Sequence, residues 1–298
     1  MAPRKRRSVD EHQLDLFADS EDVGRRNTVV AALLRRDALQ AGAAIEALRA
    51  ALPTDSILGP ASVLHAHLIA PSQTIADHAS AASELQRLRE TILPAADYLF
   101  GASSAAEWIR ADWVAMAERI AGLDFDGRWP DIHSSALLCM LSRWEEALAL
   151  ALRVASWRRI AAPLSWVAKC RCHLEGLDAA WPLLAELAWL APVRFAQLAP
   201  ELPAPGLHRL QAVFEREFHS TVTDYAWFPA WSLIAYPSLH LVLATSKGAD
   251  SPPERCFRTI FDLLILERKG LQVEMIQKRK DLHAQHPDLF GFFMKTRR

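Results

Sequence analysis

From about Asn27 onward, apolar residues recur at three- and four-residue steps, the spacing that gathers them on one face of a helix. Alanine and leucine dominate these stretches and glycine is scarce, so intrinsic propensity agrees with the pattern. Period-two alternation is weak everywhere. Leu239 to Leu243 is the one short run where a strand competes with a helix. The pattern predicts an all-α fold.

Some of the helical stretches share a register. "RDALQAGAAIEALRAALP" runs from Arg36 to Pro53, and "EGLDAAWPLLAELAWLAP" from Glu175 to Pro192. Placing Asp37 over Gly176 aligns Ala41 with Ala180, Leu48 with Leu187 and Pro53 with Pro192. "SRWEEALALALRVASW", from Ser142 to Trp157, fits the same frame, with Ala147 lying 33 residues before Ala180. A small residue at these points lets antiparallel helices approach closely, and the closing proline stops the second helix. These stretches resemble tetratricopeptide repeats, helix hairpins with a period of about 34 residues. The resemblance covers residues 130–192 best, is fainter over 27–70 and ends by about Pro203. Trp144 and Trp181 stand where the repeat commonly carries other residues. The resemblance implies an irregular helical hairpin stack of the α-solenoid kind.

Composition then divides the chain. Residues 1–22 read as a charged tail, with Arg4, Lys5, Arg6 and Arg7 followed by Asp10, Glu11, Asp15, Asp19, Glu21 and Asp22. Residues 23–203 carry the helical stack. Beyond Ala199–Gly206 aromatics cluster between Tyr225 and Pro237, and Thr245 to Glu254 is a turn-rich loop. Helices are expected at about 254–268 and 271–284, so 204–298 reads as a C-terminal helical subdomain.

Charge and cysteine usage narrow the class. The 298 residues carry a net charge of -1, without the positive field of a general nucleic-acid binder. Four irregularly spaced cysteines predict free, mostly buried thiols in a reducing cytoplasm. The basic N-terminus lacks the apolar segment of a secretory signal. The most apolar run, "WSLIAYPSLHLVLA", is too short to span a membrane and is broken by Pro237.

The chemistry-bearing motifs are sparse. No G-x-G-x-x-G, G-x-x-x-x-G-K-[ST] or G-x-S-x-G pattern occurs, so no cofactor and no catalytic residue is expected. In Cys170-Arg171-Cys172-His173 only Cys170 and His173 share a helix face, which predicts packing thiols and no metal. His65 and His67 fall on different faces, one buried and one exposed. Glu215 and His219, with His208 two turns earlier, read as an ordinary surface pair. Asp124, Asp126 and Asp131 in "LDFDGRWPD" read as a turn and a helix N-cap. Trp108, Trp113, Trp181 and Trp189 fill gaps between helices. Tyr225, Trp227, Phe228 and Trp231 sit beside prolines outside a clean helical period. They either line a groove or pack the subdomain on the stack. The basic C-terminal stretch includes Lys278, Arg279 and Lys280, candidates for phosphate contact against the default of a solvated face.

The tail holds the sharpest motif, Gln13-Leu14-Asp15-Leu16-Phe17. It resembles the short peptide, of form Q-L-[S/D]-L-F, by which bacterial polymerases, repair proteins and initiation regulators dock on the sliding clamp. All five positions match. The resemblance implies that Gln13 hydrogen-bonds in a small polar subsite. Leu16 and Phe17 would fill the main apolar pocket, Leu14 a neighbouring one, and Asp15 the rim. The expected function is a non-enzymatic interaction protein, an accessory factor of bacterial DNA replication or repair held on the clamp. The alternative is a general scaffold or adaptor whose Leu14, Leu16 and Phe17 pack on its own helices.

Overall fold

The computed structural model describes residues 9–70, 74–218, 221–248 and 250–297, with side chains described from Glu21 onward. They form an all-α stack of helix hairpins, with no strand among the described residues. Residues group into two compact units, Met1–Leu123 and Asp124–Arg298. The sequence boundary at 203/204 marks a change of composition; the contacts divide the chain at 123/124 instead.

In the first unit, α1 (Val9–Leu34) packs on α2 (Ala38–Ala51) and α3 (Leu58–Ile69). Next comes α4 (His78–Arg87), continued by a π-helical turn, Leu88–Ile92, into α5 (Leu93–Phe100). Pro94 explains the wide turn: it has no N–H to donate, and its ring would crowd the carbonyl of Glu90. Leu93 N–H bonds instead to the Leu88 carbonyl, five residues back. Gly101, at φ 76° and ψ 157°, ends α5 and starts α6 (Ala102–Trp108), and α7 (Arg110–Arg119) follows. That backbone conformation is nearly exclusive to glycine. Val29, Leu33, Leu48, Leu64, Leu88 and Ile92 are buried in the core of this unit.

The second unit is built round two central helices, α10 and α11. Before them come α8 (Ser134–Met140) and α9 (Trp144–Ala151). A single 3₁₀ turn, Trp157–Arg159, leads into α10 (Ala161–Glu175), which pairs with α11 (Leu177–Leu190). Every residue of α11 from Ala180 to Trp189 is buried, and all but Glu186 are apolar, so this helix belongs at the centre. After it come α12 (Pro192–Leu198), α13 (Pro205–Phe218) and α14 (Phe228–Ala235). The unit ends with α15 (His240–Leu243), α16 (Pro252–Lys269), α17 (Gln272–Gln285) and α18 (Pro287–Lys295). α11 packs on α14 and α15, while α16, α17 and α18 pack in sequence.

The aligned positions behave as the shared register implies. Ala41, Ala147, Ala180, Leu48 and Leu187 are all fully buried. Leu239 to Leu243, where a strand competed, is a 3₁₀ turn running into α15. α16 and α17 begin and end within about two residues of the expected 254–268 and 271–284, and α18 follows as a further helix. Among the described residues no helix is long and apolar enough to cross a membrane.

Candidate functional site

The first unit holds a polar cavity of about 560 Å³, walled by Arg36, His67, Glu84, Arg87, Asp112 and Arg119. Its geometry begins at the end of α1. Asp37 N–H bonds to the Ala32 carbonyl and Arg36 N–H to the Leu33 carbonyl, which closes the helix and turns Arg36 to φ 56°. The guanidinium then lies over Trp108, 4.3 Å from the ring centroid. It donates to the Trp108 carbonyl at 2.8 Å, and to Asp112 Oδ2 at 3.0 Å and Oδ1 at 2.8 Å.

Asp112 also accepts from His67 Nε2 at 3.0 Å. Burial would raise the Asp112 carboxyl, but the hydrogen bonds from His67 and Arg36 and the Arg36 charge outweigh it. The pKa lies below the ordinary aspartate value. On the other side of the ring, Arg87 Nη2 donates to His67 Nδ1 at 3.0 Å. A guanidinium can only donate, so Nδ1 accepts and the imidazole proton is on Nε2. Arg87 also donates to Glu84 through Nε at 2.8 Å and Nη2 at 3.0 Å, and Arg119 lies 3.6 Å from the same carboxylate. The Arg87 hydrogen bond is the main reason that the Glu84 pKa is lowered.

This chain of alternating donors and acceptors ties the end of α1 to α3, α4 and α7. Both nitrogens of His67 are engaged, so the imidazole has no lone pair left to abstract a proton. The array holds charge in place; as drawn it carries no acid–base step. Of the charged wall residues only His67 stands out in the sequence, where helical spacing puts one of His65 and His67 on an exposed face. Both are half-buried. His65 packs against Gly42, where an added Cβ would come within 2.9 Å of its Nε2. The missed partners are scattered from Arg36 to Arg119, and no linear spacing joins them. Glu84 and Arg87, three apart on one helix, were the only local sign.

The other sequence candidates are placed as follows. The side chains of residues 13–17 lie outside those described. Tyr225, Phe228 and Trp231 are buried and Trp227 is half-buried. With Phe195 and Phe214 they make an aromatic core: Phe214 lies 5.3 Å from Phe228 and 5.4 Å from Trp231, edge to face. Three of the four therefore fill space instead of lining a groove. Lys278 donates to Asp262 at 2.6 Å and Arg279 lies 3.9 Å from Glu267, while Lys280 is exposed.

Cys139, Cys170, Cys172 and Cys256 are buried and free, and burial pushes the Cys256 thiol up to about 12. His173 stacks on Trp144 with centroids 3.8 Å apart. His208 bonds the Ala199 carbonyl at 3.1 Å and Glu215 accepts from Tyr225, so these two have separate partners; His219 lies outside the described residues. Asp126 accepts from Arg128 N–H at 2.9 Å in a turn, but the N-cap of α8 is His133 and not an aspartate. Among the described residues no group of three or more His, Cys, Asp or Glu could hold a metal ion.

Fold and site define an all-α protein of packed helix hairpins, with a partly buried ion network in its first unit. Comparison with protein-family models, curated proteins and solved structures gives no match.

Proposed function

We propose that the chain is a non-enzymatic accessory protein of bacterial DNA replication or repair. It tethers itself to the sliding clamp through Gln13–Phe17 and offers its helical surface to a second protein. The complete five-residue match carries this reading. A short peptide binds in this mode through a few apolar anchors in pockets, so it needs no fold of its own. The engagement of both His67 nitrogens agrees with a binding role. Direct contact with nucleic acid is weak in this reading, because Lys278 and Arg279 already face carboxylates.

The test is titration of the full-length chain against purified bacterial sliding clamp, beside the Gln13→Ala/Phe17→Ala variant. Saturable binding that the double substitution weakens by about a hundredfold or more supports the reading; two lost anchors at about 1.4 kcal/mol each give that factor. Absence of binding, or equal binding by the variant, overturns it.

A further inference from the structure

A second cavity, of about 480 Å³, lies wholly within the Asp124–Arg298 unit, walled by Arg158, Arg159, Glu186, Trp189, Lys247 and Ser251. Its one carboxylate is already used. Glu186, on the central helix α11, accepts from Arg158 Nε and Nη2, both at 2.6 Å, and from the Lys247 backbone N–H at 2.6 Å. That bidentate pair neutralises Glu186 and fills most of its acceptor sites.

The charged groups that remain in the wall can only donate. Arg159 and the Lys247 ammonium have no carboxylate partner among the described residues, and both are exposed. The Trp189 indole N–H is buried and bonds to nothing, in a side chain nine-tenths buried. Such an orphaned donor is uncommon in a folded protein, because leaving it unpaired costs about 1–3 kcal/mol. The loop beside Lys247 is closely packed. At Gly248 an added Cβ would fall 1.8 Å from Glu254 Oε2, so a larger residue there would have to displace that carboxylate. The Glu254 carboxylate in turn accepts from Asp250 N–H at 2.8 Å and from Arg258 at 3.2 Å. Leu190 and the Trp189 ring supply apolar wall.

We propose that this cavity binds a small phosphorylated molecule of about nucleotide size, its phosphate held by Arg159 and Lys247. Two unmatched cations fit a phosphomonoester, which carries about -1.5 to -2 charges at pH 7, better than a single carboxylate. The volume falls in the range of about 300–1,000 Å³ typical of small-molecule sites. The apolar wall leaves room for the organic part of the molecule beside Leu190. This site is independent of the clamp peptide: it lies in other residues and takes another class of ligand.

Calorimetric titration of the full-length chain with AMP, inorganic phosphate and succinate tests the site. AMP is expected to bind saturably, phosphate more weakly, and succinate least. Arg159→Gln/Lys247→Gln alters only exposed side chains, so it should stay folded and lose about tenfold in AMP affinity per charge removed. The proposal is overturned by no saturable binding of AMP or phosphate at millimolar concentration, by equal binding in the Arg159/Lys247 variant, or by succinate binding as tightly as AMP.

Discussion

Arg36 occupies a backbone position usually held by glycine. Its left-handed conformation costs a side-chain-bearing residue about 1–2 kcal/mol, and the cap at the end of α1 would form with glycine too. The guanidinium offsets that cost by stacking on Trp108 and gripping Asp112 in two hydrogen bonds. The energetic centre is therefore Asp112, which Arg36 and His67 both need. Asp112→Asn should lower the stability of the Met1–Leu123 unit by about 2 kcal/mol in urea unfolding at pH 7, because it leaves a half-buried guanidinium without its counter-charge. The pH dependence has a definite sign. A carboxylate with a folded pKa below its unfolded value of about 3.9 contributes stability that is complete above that value. The contribution is lost as pH falls through the folded pKa. The gap between wild type and Asp112→Asn should therefore narrow as pH drops from about 5 towards 2. A constant gap would show that the carboxylate charge is not what stabilises the unit.

Helix ends were the most legible elements in the sequence. Leu52, Ala191 and Tyr236 each precede a proline, each ends a helix, and each has φ between -132° and -150° with ψ between 76° and 80°. Proline disfavours the α region for the residue before it, and at these three positions that preference coincides with the helix end, whereas Leu93, Ala199 and Phe228 stay helical before Pro94, Pro200 and Pro229. The starts of α8 and α18 were not legible, because both are capped by histidine. Ser135 N–H donates to His133 Nδ1 at 3.2 Å, and Leu289 N–H to His286 Nδ1 at 3.2 Å. Histidine is a rare cap, and here packing fixes it: His133 stacks on Trp166 at 5.1 Å, and His286 meets Trp227 edge-on at 4.4 Å. Burial is the first cause that lowers both pKa values, and for His286 it outweighs the opposing pull of Asp288 and Asp224. A protonated Nδ1 could no longer accept the cap bond. The neutral rings thus contribute stability that is complete above about pH 6.5, the unfolded value, and is lost as pH falls through the folded values. Thermal unfolding between about pH 7 and 5 should fall less steeply in His133→Asn/His286→Asn than in wild type, since asparagine caps without titrating. Parallel slopes in the two proteins would rule the histidine caps out as the source.

At the scale of the whole molecule, the fold class was readable because helical period, propensity and proline punctuation agree over most of the chain. The unit boundary was not. The aromatic run from Tyr225 to Trp231 looks like the start of something new, yet Phe228 and Tyr225 pack on Phe195 of α12, before the compositional break. Both polar cavities were invisible for a related reason: their residues come from helices far apart in the chain, and pairing over such distances leaves no linear pattern. The tail presents the opposite case, a motif plain in sequence whose side chains lie outside those described. Stability measurements separate its two readings by magnitude. If Leu14, Leu16 and Phe17 pack on the protein's own helices, three large apolar side chains are buried, each contributing about 1.5–3 kcal/mol. Leu14→Gln/Leu16→Gln/Phe17→Gln would then cost on the order of 5 kcal/mol, a large share of a typical domain's stability. If the same residues serve a clamp, the free protein loses nearly nothing, because glutamine is about as good a helix former as leucine and no buried contact is removed. Chemical unfolding of the full-length triple variant should therefore coincide with wild type to within about 1 kcal/mol, while sliding-clamp binding is lost. A drop of several kcal/mol would assign the peptide to the protein's own core and remove the tether on which the proposed function rests.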